Sequence, residues 1–468
     1  MPKAMQMETS KPVSKNVVLF ITATSSFLTP LMGSAVNLAL PALGKEFGMD
    51  AVTLAWVSTA YLLSAAAFLV PFGRIADIFG RKKVFLFGIA TLTITSLFCG
   101  FAPSSGFLIL FRVLQGLGGA MIFGTGVAIL TSVYPKDERG KALGINTASV
   151  YLGLSAGPFL GGIITQYLGW RFVFFMNLPI CLFIIAMVLW RLRGEWAGAR
   201  GERVDILGSL VYALSITGFI YGLSHMPSAL GGVLIGCGIL GFMGFIIWEL
   251  RAKSPVLDVR LFGLNRVFAM SNLAALINYA ATFAVGFLVS LYLQYVKGLS
   301  PQFAGIVMIS QPVVQAGFSP VSGRLSDRIE PRIVSSVGMG LSSLGLLLMA
   351  FVTRTTPLGL IILNLIVLGL GFALFSSPNT NAVMSSVEQR FYGVASGTLG
   401  TMRLVGNMLS MATVMLIFAI IIGKTQITSQ TTEIFLRSMR VAFFLFSGVC
   451  AAGVVPSMVR GRVRNQPV

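Results

Sequence analysis

The sequence predicts an all-α integral membrane protein of fourteen transmembrane helices, arranged as two six-helix repeats with an inserted helix pair between them. Three observations lead there. Of 468 residues, 55% are apolar and only 10% are charged, and the mean hydropathy is +0.86, a balance far too apolar for a soluble chain of this length. Apolar runs of about 20 residues, the length a helix needs to cross a bilayer, start near residues 16, 52, 82, 107, 140, 170, 204, 231, 266, 301, 331, 357, 392 and 438. A short basic loop also occurs twice between such runs, as Gly73-Arg74-Ile75-Ala76-Asp77-Ile78-Phe79-Gly80-Arg81-Lys82-Lys83 and as Gly323-Arg324-Leu325-Ser326-Asp327-Arg328, at an offset of 250 residues.

Two further pairs keep nearly the same distance. Gly116-Leu117-Gly118-Gly119-Ala120 recurs as Gly369-Leu370-Gly371-Phe372-Ala373, and Gly140-Lys141-Ala142-Leu143-Gly144 as Gly393-Val394-Ala395-Ser396-Gly397, both at 253 residues. Duplicated helical halves are the usual architecture of secondary transporters, which rock one half against the other around a midplane site. Residues 1–192 form the first bundle and 266–468 the second. Between them, 193–265 hold the inserted pair, flanked by basic connectors at Arg191 to Arg203 and Arg251 to Pro255. The inserted helices, about 205–223 and 231–250, carry almost no polar side chain and read as peripheral and accessory.

The first run follows Lys3, Lys11 and Lys15, is too long for a signal-peptide core and has no small-residue cleavage site after it, so it is expected to remain as helix 1. With a cytoplasmic N-terminus, the 34 Lys and Arg residues divide into 25 cytoplasmic, 7 outside and 2 within spans, the asymmetry that orients helical membrane proteins. Both termini are therefore expected in the cytoplasm, with the chain in the plasma (inner) membrane. The same asymmetry accounts for the net charge of +19 without a nucleic-acid partner. Cys99, Cys181, Cys237 and Cys450 lie in apolar segments without C-x-x-C spacing and read as packing residues. Phosphate-binding and H-E-x-x-H motifs are lacking and the chain has one His, so neither an enzyme, nor ATP hydrolysis, nor a metal or cofactor is expected.

The first basic loop, at Gly73, Asp77, Gly80, Arg81 and Lys82, resembles the loop between helices 2 and 3 of the major facilitator superfamily. The six-two-six helix count, together with Trp170-Arg171-Phe172-Val173-Phe174-Phe175-Met176-Asn177-Leu178-Pro179, is similar to its fourteen-helix drug/proton antiporter branch. Essentially the whole chain is covered. The resemblance implies the major facilitator fold and a latch. Asp77, with Gly73, Arg74, Gly80, Arg81 and Lys82 around it, would meet the start of helix 13 near Gly393 to Ser396. Asp327, with Gly323 and Arg328, would meet the start of helix 5 near Gly140. The physical basis is the affinity of a carboxylate for exposed N–H groups at a helix N-terminus, about 0.3–1 kcal/mol at a surface. Arg81, Lys82 and Lys83 serve equally as charges that set topology.

Differences between equivalent positions mark where a duplicated transporter keeps its asymmetric functions. Helix 5 alone carries Gly153-Leu154-Ser155-Ala156-Gly157-Pro158-Phe159-Leu160-Gly161-Gly162; Gly406 stands opposite Gly153, but Ser410 stands opposite Gly157. Gly153, Gly157 and Gly161 form a bare stripe for close helix approach, and Pro158 permits a bend. By resemblance, Gly-x-x-x-Gly-Pro-x-x-Gly-Gly is the antiporter signature and implies export. Arg112 in helix 4 has Leu365 as its counterpart in the other repeat, and Arg403 in helix 13 has Val150. A membrane cation costs several kcal/mol, so each either works as a coupling group, which the resemblance implies for Arg112, or bonds to backbone carbonyls or an interface.

All fifteen acids lie in loops or within about a turn of a helix end. The branch usually has an Asp in helix 1 ahead of Val-Asn-x-Ala-Leu-Pro, and here Met32 holds that place before Val36-Asn37-Leu38-Ala39-Leu40-Pro41. A cavity with cations and no buried acid suits neutral or anionic amphiphiles better than lipophilic cations. Asn37, Gln115, Asn146, Asn278, Gln311, Gln315 and Asn407 either line that cavity or form interhelical hydrogen bonds.

The sequence thus predicts an exporter of lipophilic or amphiphilic small molecules by alternating access in exchange for protons, acting as a monomer among membrane lipids. The alternative is an uncoupled facilitator or translocator of lipids or anionic amphiphiles. If the latch operates, Asp77→Asn inserts normally but transports poorly; transport at the unsubstituted rate in proteoliposomes removes the latch.

Overall fold

The computed structural model describes residues 14–135, 138–199, 201–202, 204–252, 262–263, 265–387, 392–423, 425–428 and 430–461. Among the described residues, fourteen membrane-length helical segments run back and forth. The first bundle holds α1 (Lys15–Phe47), α2 (Ala51–Phe79), α3 (Arg81–Gly100), α4 (Ser105–Val133), α5 (Arg139–Tyr167) and α6 (Arg171–Arg191). The insert is α7 (Ile206–Ser224) and α8 (Ala229–Arg251). The second bundle holds α9 (Arg266–Val296), α10 (Pro301–Met308 continued by Ser310–Arg328), α11 (Pro331–Ala350), α12 (Leu358–Ser385), α13 (Tyr392–Ile421) and α14 (Thr432–Val459). Thirteen are apolar enough to span a bilayer on composition alone. The exception is α10, which carries Gln302, Gln311, Gln315 and several serines. Since α1 starts and α14 ends on one side, that side is called here the terminal face and the other the distal face.

Helix ends follow local chemistry. Asp50 caps α2 by accepting from Thr53 N–H at 2.7 Å, Asp205 caps α7 through Gly208 N–H at 2.8 Å, and Asn265 caps α9 through Phe268 N–H at 3.0 Å. Gly48, at φ +62°, ends α1 in the left-handed conformation that glycine adopts without strain.

The duplication read from the sequence reappears as duplicated packing. In the first half α1 pairs with α5, α2 with α4, and α3 with α4 and α6; in the second α9 pairs with α13, α10 with α12, and α11 with α12 and α14. Two equivalent seams join the halves, α2 against α13 and α5 against α10, with α1 crossing α9 between them. The insert breaks this symmetry. Whereas α8 packs chiefly on α7, α7 lies along both α2 and α13, and the Tyr212 hydroxyl donates to Ala66 O at 3.2 Å. One seam is therefore covered by the insert and the other is not. The peripheral position expected of the pair describes α8 but not α7.

Glycines on α5 determine how closely this helix approaches its neighbours. A Cβ at Gly161 would lie 2.6 Å from Ala35 Cα, and Gly153 and Gly157 meet the α1 backbone at Phe27 and Leu31 in the same way. Gly162 turns to the other half, where a Cβ would lie 2.5 Å from Pro301 O, and Pro158 O abuts Gly305 on α10. The stripe thus packs within its bundle while its neighbours on α5 seal the seam between bundles. In the second repeat Ser410, opposite Gly157, acts by hydrogen bonding instead: its hydroxyl accepts from Ala284 N–H at 3.0 Å where α9 is interrupted at Phe283. Lipid offers no partner to such a freed backbone group, so another helix must supply one. Gly161→Val should lower stability by about 1–3 kcal/mol through overpacking. Gly162→Val should instead shift the protein toward distal opening, read as labelling of distal-face cysteines. Equal effects of the two on thermal melting and labelling would contradict this division.

Candidate functional site

The hydrogen bonds between described residues of the two halves are concentrated on the distal side. Ala51 N–H donates to Thr425 O at 3.1 Å, Gln426 Nε2 to Gly48 O at 3.0 Å, and the Tyr167 hydroxyl to Gln302 Oε1 at 3.0 Å. Deeper, Ser290 donates to Asn37 O at 2.6 Å and Gln294 Nε2 to Leu38 O at 3.3 Å. Nearest the terminal face is the contact between the Tyr151 hydroxyl on α5 and Ser376 Oγ on α12, 2.7 Å apart. The halves are joined on the distal side, and the central site lies at the terminal edge of that closed zone.

A polar cluster surrounds the Tyr151–Ser376 contact. The Tyr279 hydroxyl on α9 lies 3.4 Å from Ser376 Oγ, and Gln315 on α10 lies beside Tyr151. Arg403 on α13 donates from Nη2 to Thr380 Oγ1 at 2.8 Å, and its guanidinium carbon is 5.6 Å from the Tyr279 ring centre. At about 1.5 Å per helical residue, Tyr151, Tyr279 and Arg403 sit roughly 17–20 Å from the terminal ends of their helices, well inside the membrane. Five helices from both halves thus converge on one cation, two phenols and several neutral polar groups.

Among the described residues every carboxylate lies in a loop or within about a turn of a helix end. Glu46 pairs with Arg171 on the distal face at 2.7 Å, and Glu249 is buried between the insert helices close to Asp205. Glu8, Asp137, Asp258 and Glu388 lie outside the described residues.

The two arginines singled out by repeat asymmetry are placed differently. Arg112 is 1% exposed inside the first bundle, donating to Val57 O at 2.8 Å and Gln115 Oε1 at 2.5 Å, with its guanidinium carbon 4.7 Å from the Tyr61 ring centre. Gln115 donates onward to Ser96 at 2.7 Å. This is a closed network linking α2, α3 and α4. Arg403 belongs to the cluster between the halves.

Of the other cavity candidates, Gln315 joins the cluster, and Asn407 lies one turn along α13 from Arg403. Gln311 lies on α10, where its backbone carbonyl abuts Gly369. Asn146 accepts from Ser26 at 2.9 Å inside the first bundle, Asn278 is buried in the second beside Cys450, and Asn37 lies in the distal crossing. The sequence alone gives no sign that Tyr151 and Tyr279 belong to this centre. Aromatic residues in an apolar run carry no periodic signal, and Tyr151 and Tyr279 gain significance only because they share Ser376.

The first basic loop is engaged by α4 and by the connector after α6. The Asp77 carboxylate is held by Arg81 at 2.8 Å, and Arg81 also reaches Ala128 O at 3.1 Å and Ser132 Oγ at 2.6 Å on α4. Between Asp77 and the described residues 394–396 there is no hydrogen bond. Instead the connector after α6 lies across the loop. Glu195 Oε1 accepts from Lys82 N–H at 2.8 Å, Trp196 O from Arg81 N–H at 2.8 Å, Asp77 O from Ala199 N–H at 2.9 Å, and Arg74 pairs with Glu202. Gly80, at φ +123°, leaves room for Glu195 where a side chain would collide. In the second loop Gly323 approaches Ser377 and Arg328 is exposed, while the Asp327 side chain lies outside the described residues.

Two bundles of equivalent packing, joined at one face around a buried polar centre, define a membrane transporter rather than an enzyme. The chain belongs to the Major Facilitator Superfamily, whose sequence signature matches residues 22–271 and again 271–467. It is 29% identical over 444 residues to the riboflavin transporter RibZ of Clostridioides difficile (strain 630), covering 94% of this chain and 96% of that one. It is 32% identical over 422 residues to the cephamycin export protein CmcT of Amycolatopsis lactamdurans, covering 86% and 85%. Its fold matches the inward-facing, unoccupied crystal structure of a bacterial homolog to the human lysosomal transporter Spinster, with a TM-score of 0.65 and 17% identity over 96% of this chain and 97% of that one.

From these positions, Arg112→Leu should lower stability by about 1–3 kcal/mol, since it strands Val57 O and Gln115 in the bundle. Ligand binding should be retained by the folded fraction. An unaltered melting temperature with abolished transport would return Arg112 to a coupling role.

Proposed function

We propose that this transporter exports neutral or anionic lipophilic and amphiphilic small molecules by alternating access, with the two bundles rocking about the α5–α10 and α2–α13 seams. The observation that carries it is Arg403, a cation in the membrane interior between the halves, surrounded by phenols and hydroxyls and without a carboxylate in its cluster. Such a centre attracts an anion or an electron-rich carbonyl and repels an organic cation. The basic terminal face supports placing that side in the cytoplasm of a plasma (inner) membrane, so that the described state is closed outward. Direction is supported by the Gly-Pro-Gly-Gly element of α5 and by the name of the cephamycin export protein. The similarity to a riboflavin transporter supports a flat heteroaromatic cargo as one member of the range. The transporter works as a monomer among membrane lipids, with protons as the exchanged ion.

One observation favours the alternative of an uncoupled facilitator or of a lipid or anionic-amphiphile translocator: Met32, fully buried, stands where the branch carries its helix 1 acid. Proteoliposomes of defined orientation, given anionic, neutral and cationic amphiphiles under a pH gradient, separate these readings. The expected result is uptake of anionic and neutral compounds with proton counterflow, reduced about tenfold for anions by Arg403→Gln, equivalent to about 1.4 kcal/mol. Preference for cations would overturn the charge reading, and transport without proton movement would establish the facilitator.

A further inference from the structure

Arg403 and Asn407 are four residues apart on α13, so their side chains project from the same face one turn apart. Arg403 Nη2 is engaged by Thr380, but its Nε is buried without a hydrogen-bond partner, and so is Asn407 Oδ1. One is an N–H donor and the other a carbonyl acceptor, and they do not bond to each other. Orphaned polar atoms also occur elsewhere, among them atoms of Asn177, Asn278 and Ser342 and the Nε atoms of Arg74, Arg332 and Arg460, but none of these residues belongs to the cluster between the halves. Arg403 instead adjoins the place where α5, α9, α10, α12 and α13 meet, beside Tyr279, whose ring centroid is 6.2 Å from that of the edge-on Phe372 ring, and Asn407 follows it by one turn on α13. Buried polar groups left without partners are costly, and a donor and an acceptor left unpaired one turn apart on the same helix can be satisfied together by a complementary ligand edge.

We infer that Arg403 and Asn407 form a two-point recognition site for planar aromatic molecules whose edge places a carbonyl next to an N–H, as in imides and lactams. The carbonyl accepts from Arg403 Nε, the ligand N–H donates to Asn407 Oδ1, and the ring packs against Tyr279 and Phe372. This deepens the proposed export of neutral and anionic amphiphiles and rests on it for the location of the centre. Among neutral ligands the arrangement discriminates by hydrogen-bond pattern, so an imide binds while its N-alkylated counterpart strands Asn407.

Purified full-length protein in nanodiscs, titrated with fluorescent naphthalimide and with N-methylnaphthalimide, tests the inference directly. Naphthalimide should bind about tenfold more tightly than its N-methyl analogue, the scale of one buried hydrogen bond. Asn407→Leu should abolish that preference, bringing the two probes to equal affinity because no amide is left for the N-methyl compound to strand, and Arg403→Gln should weaken both. Equal binding of the two probes to the unsubstituted protein, binding of neither, or a preference that survives Asn407→Leu would overturn the site. Transport of both probes in proteoliposomes separates this from the exporter reading. Discrimination in binding without transport upholds the site and defeats export, whereas transport without discrimination upholds export and defeats the site.

Discussion

Close backbone contact between α5 and α10 is the constraint on which the rest of the structure depends. Gly162 against Pro301, and Pro158 against Gly305, bring two helices from different halves together with no side chain between them. In a bilayer no hydrophobic effect drives helices together, so this intimacy, and the dispersion contacts and short hydrogen bonds it allows, must hold the distal side shut. With that end pinned, bonds such as Ser290 to Asn37 form along the α1–α9 crossing, and the Tyr151–Ser376 contact marks where closure ends. The polar centre occupies that boundary because it is the last level at which both halves supply side chains to the same place.

The pseudo-symmetry clarifies the insert and the connectors. Of two equivalent seams, α7 covers the one between α2 and α13, leaving the α5–α10 seam, with its glycine motif, without an insert helix. The connector before α7 is tied to the α2–α3 loop through Glu195, Trp196, Ala199 and Glu202. Any movement of that loop toward α13 must therefore carry the connector with it. The insert is linked at one end to the loop expected to latch and along its length to the seam beside it.

Buried cations show how the same residue type serves different ends. Arg112 is satisfied by a backbone carbonyl, an amide and an aromatic face within one bundle. Arg460, just beyond α14, is fully buried and donates to Ser271, Asn379 and Ser335, tying together the terminal ends of the second bundle. Both resemble rivets. Arg403 and Arg460 each keep an unpaired Nε, but Arg403 lies where the halves meet, and that location, rather than depth, charge or an unpaired atom, separates it from the structural arginines.

The number of crossings, the duplication and the absence of deep acids in the sequence were legible because each is a one-dimensional property: apolar length, recurrence at a fixed offset, and position relative to helix ends. The glycine stripe on α5 was legible for the same reason, since residues four apart share a helix face. What faces that stripe was not. Gly161 meets its own bundle and Gly162 the other, a difference of one residue that depends on how α5 is rotated. Repeat asymmetry picked out Arg112 and Arg403 equally, and Asn146, Asn278 and Gln115 looked no different from Gln315. Whether a membrane polar group is consumed by a neighbour or left for cargo depends on distances of a few ångströms between helices far apart in sequence. By itself, then, the sequence determined a duplicated membrane transporter with a cationic, acid-poor interior. Tertiary packing alone decided that Arg403 rather than Arg112 occupies its centre, because only packing settles which hydrogen bonds are already made.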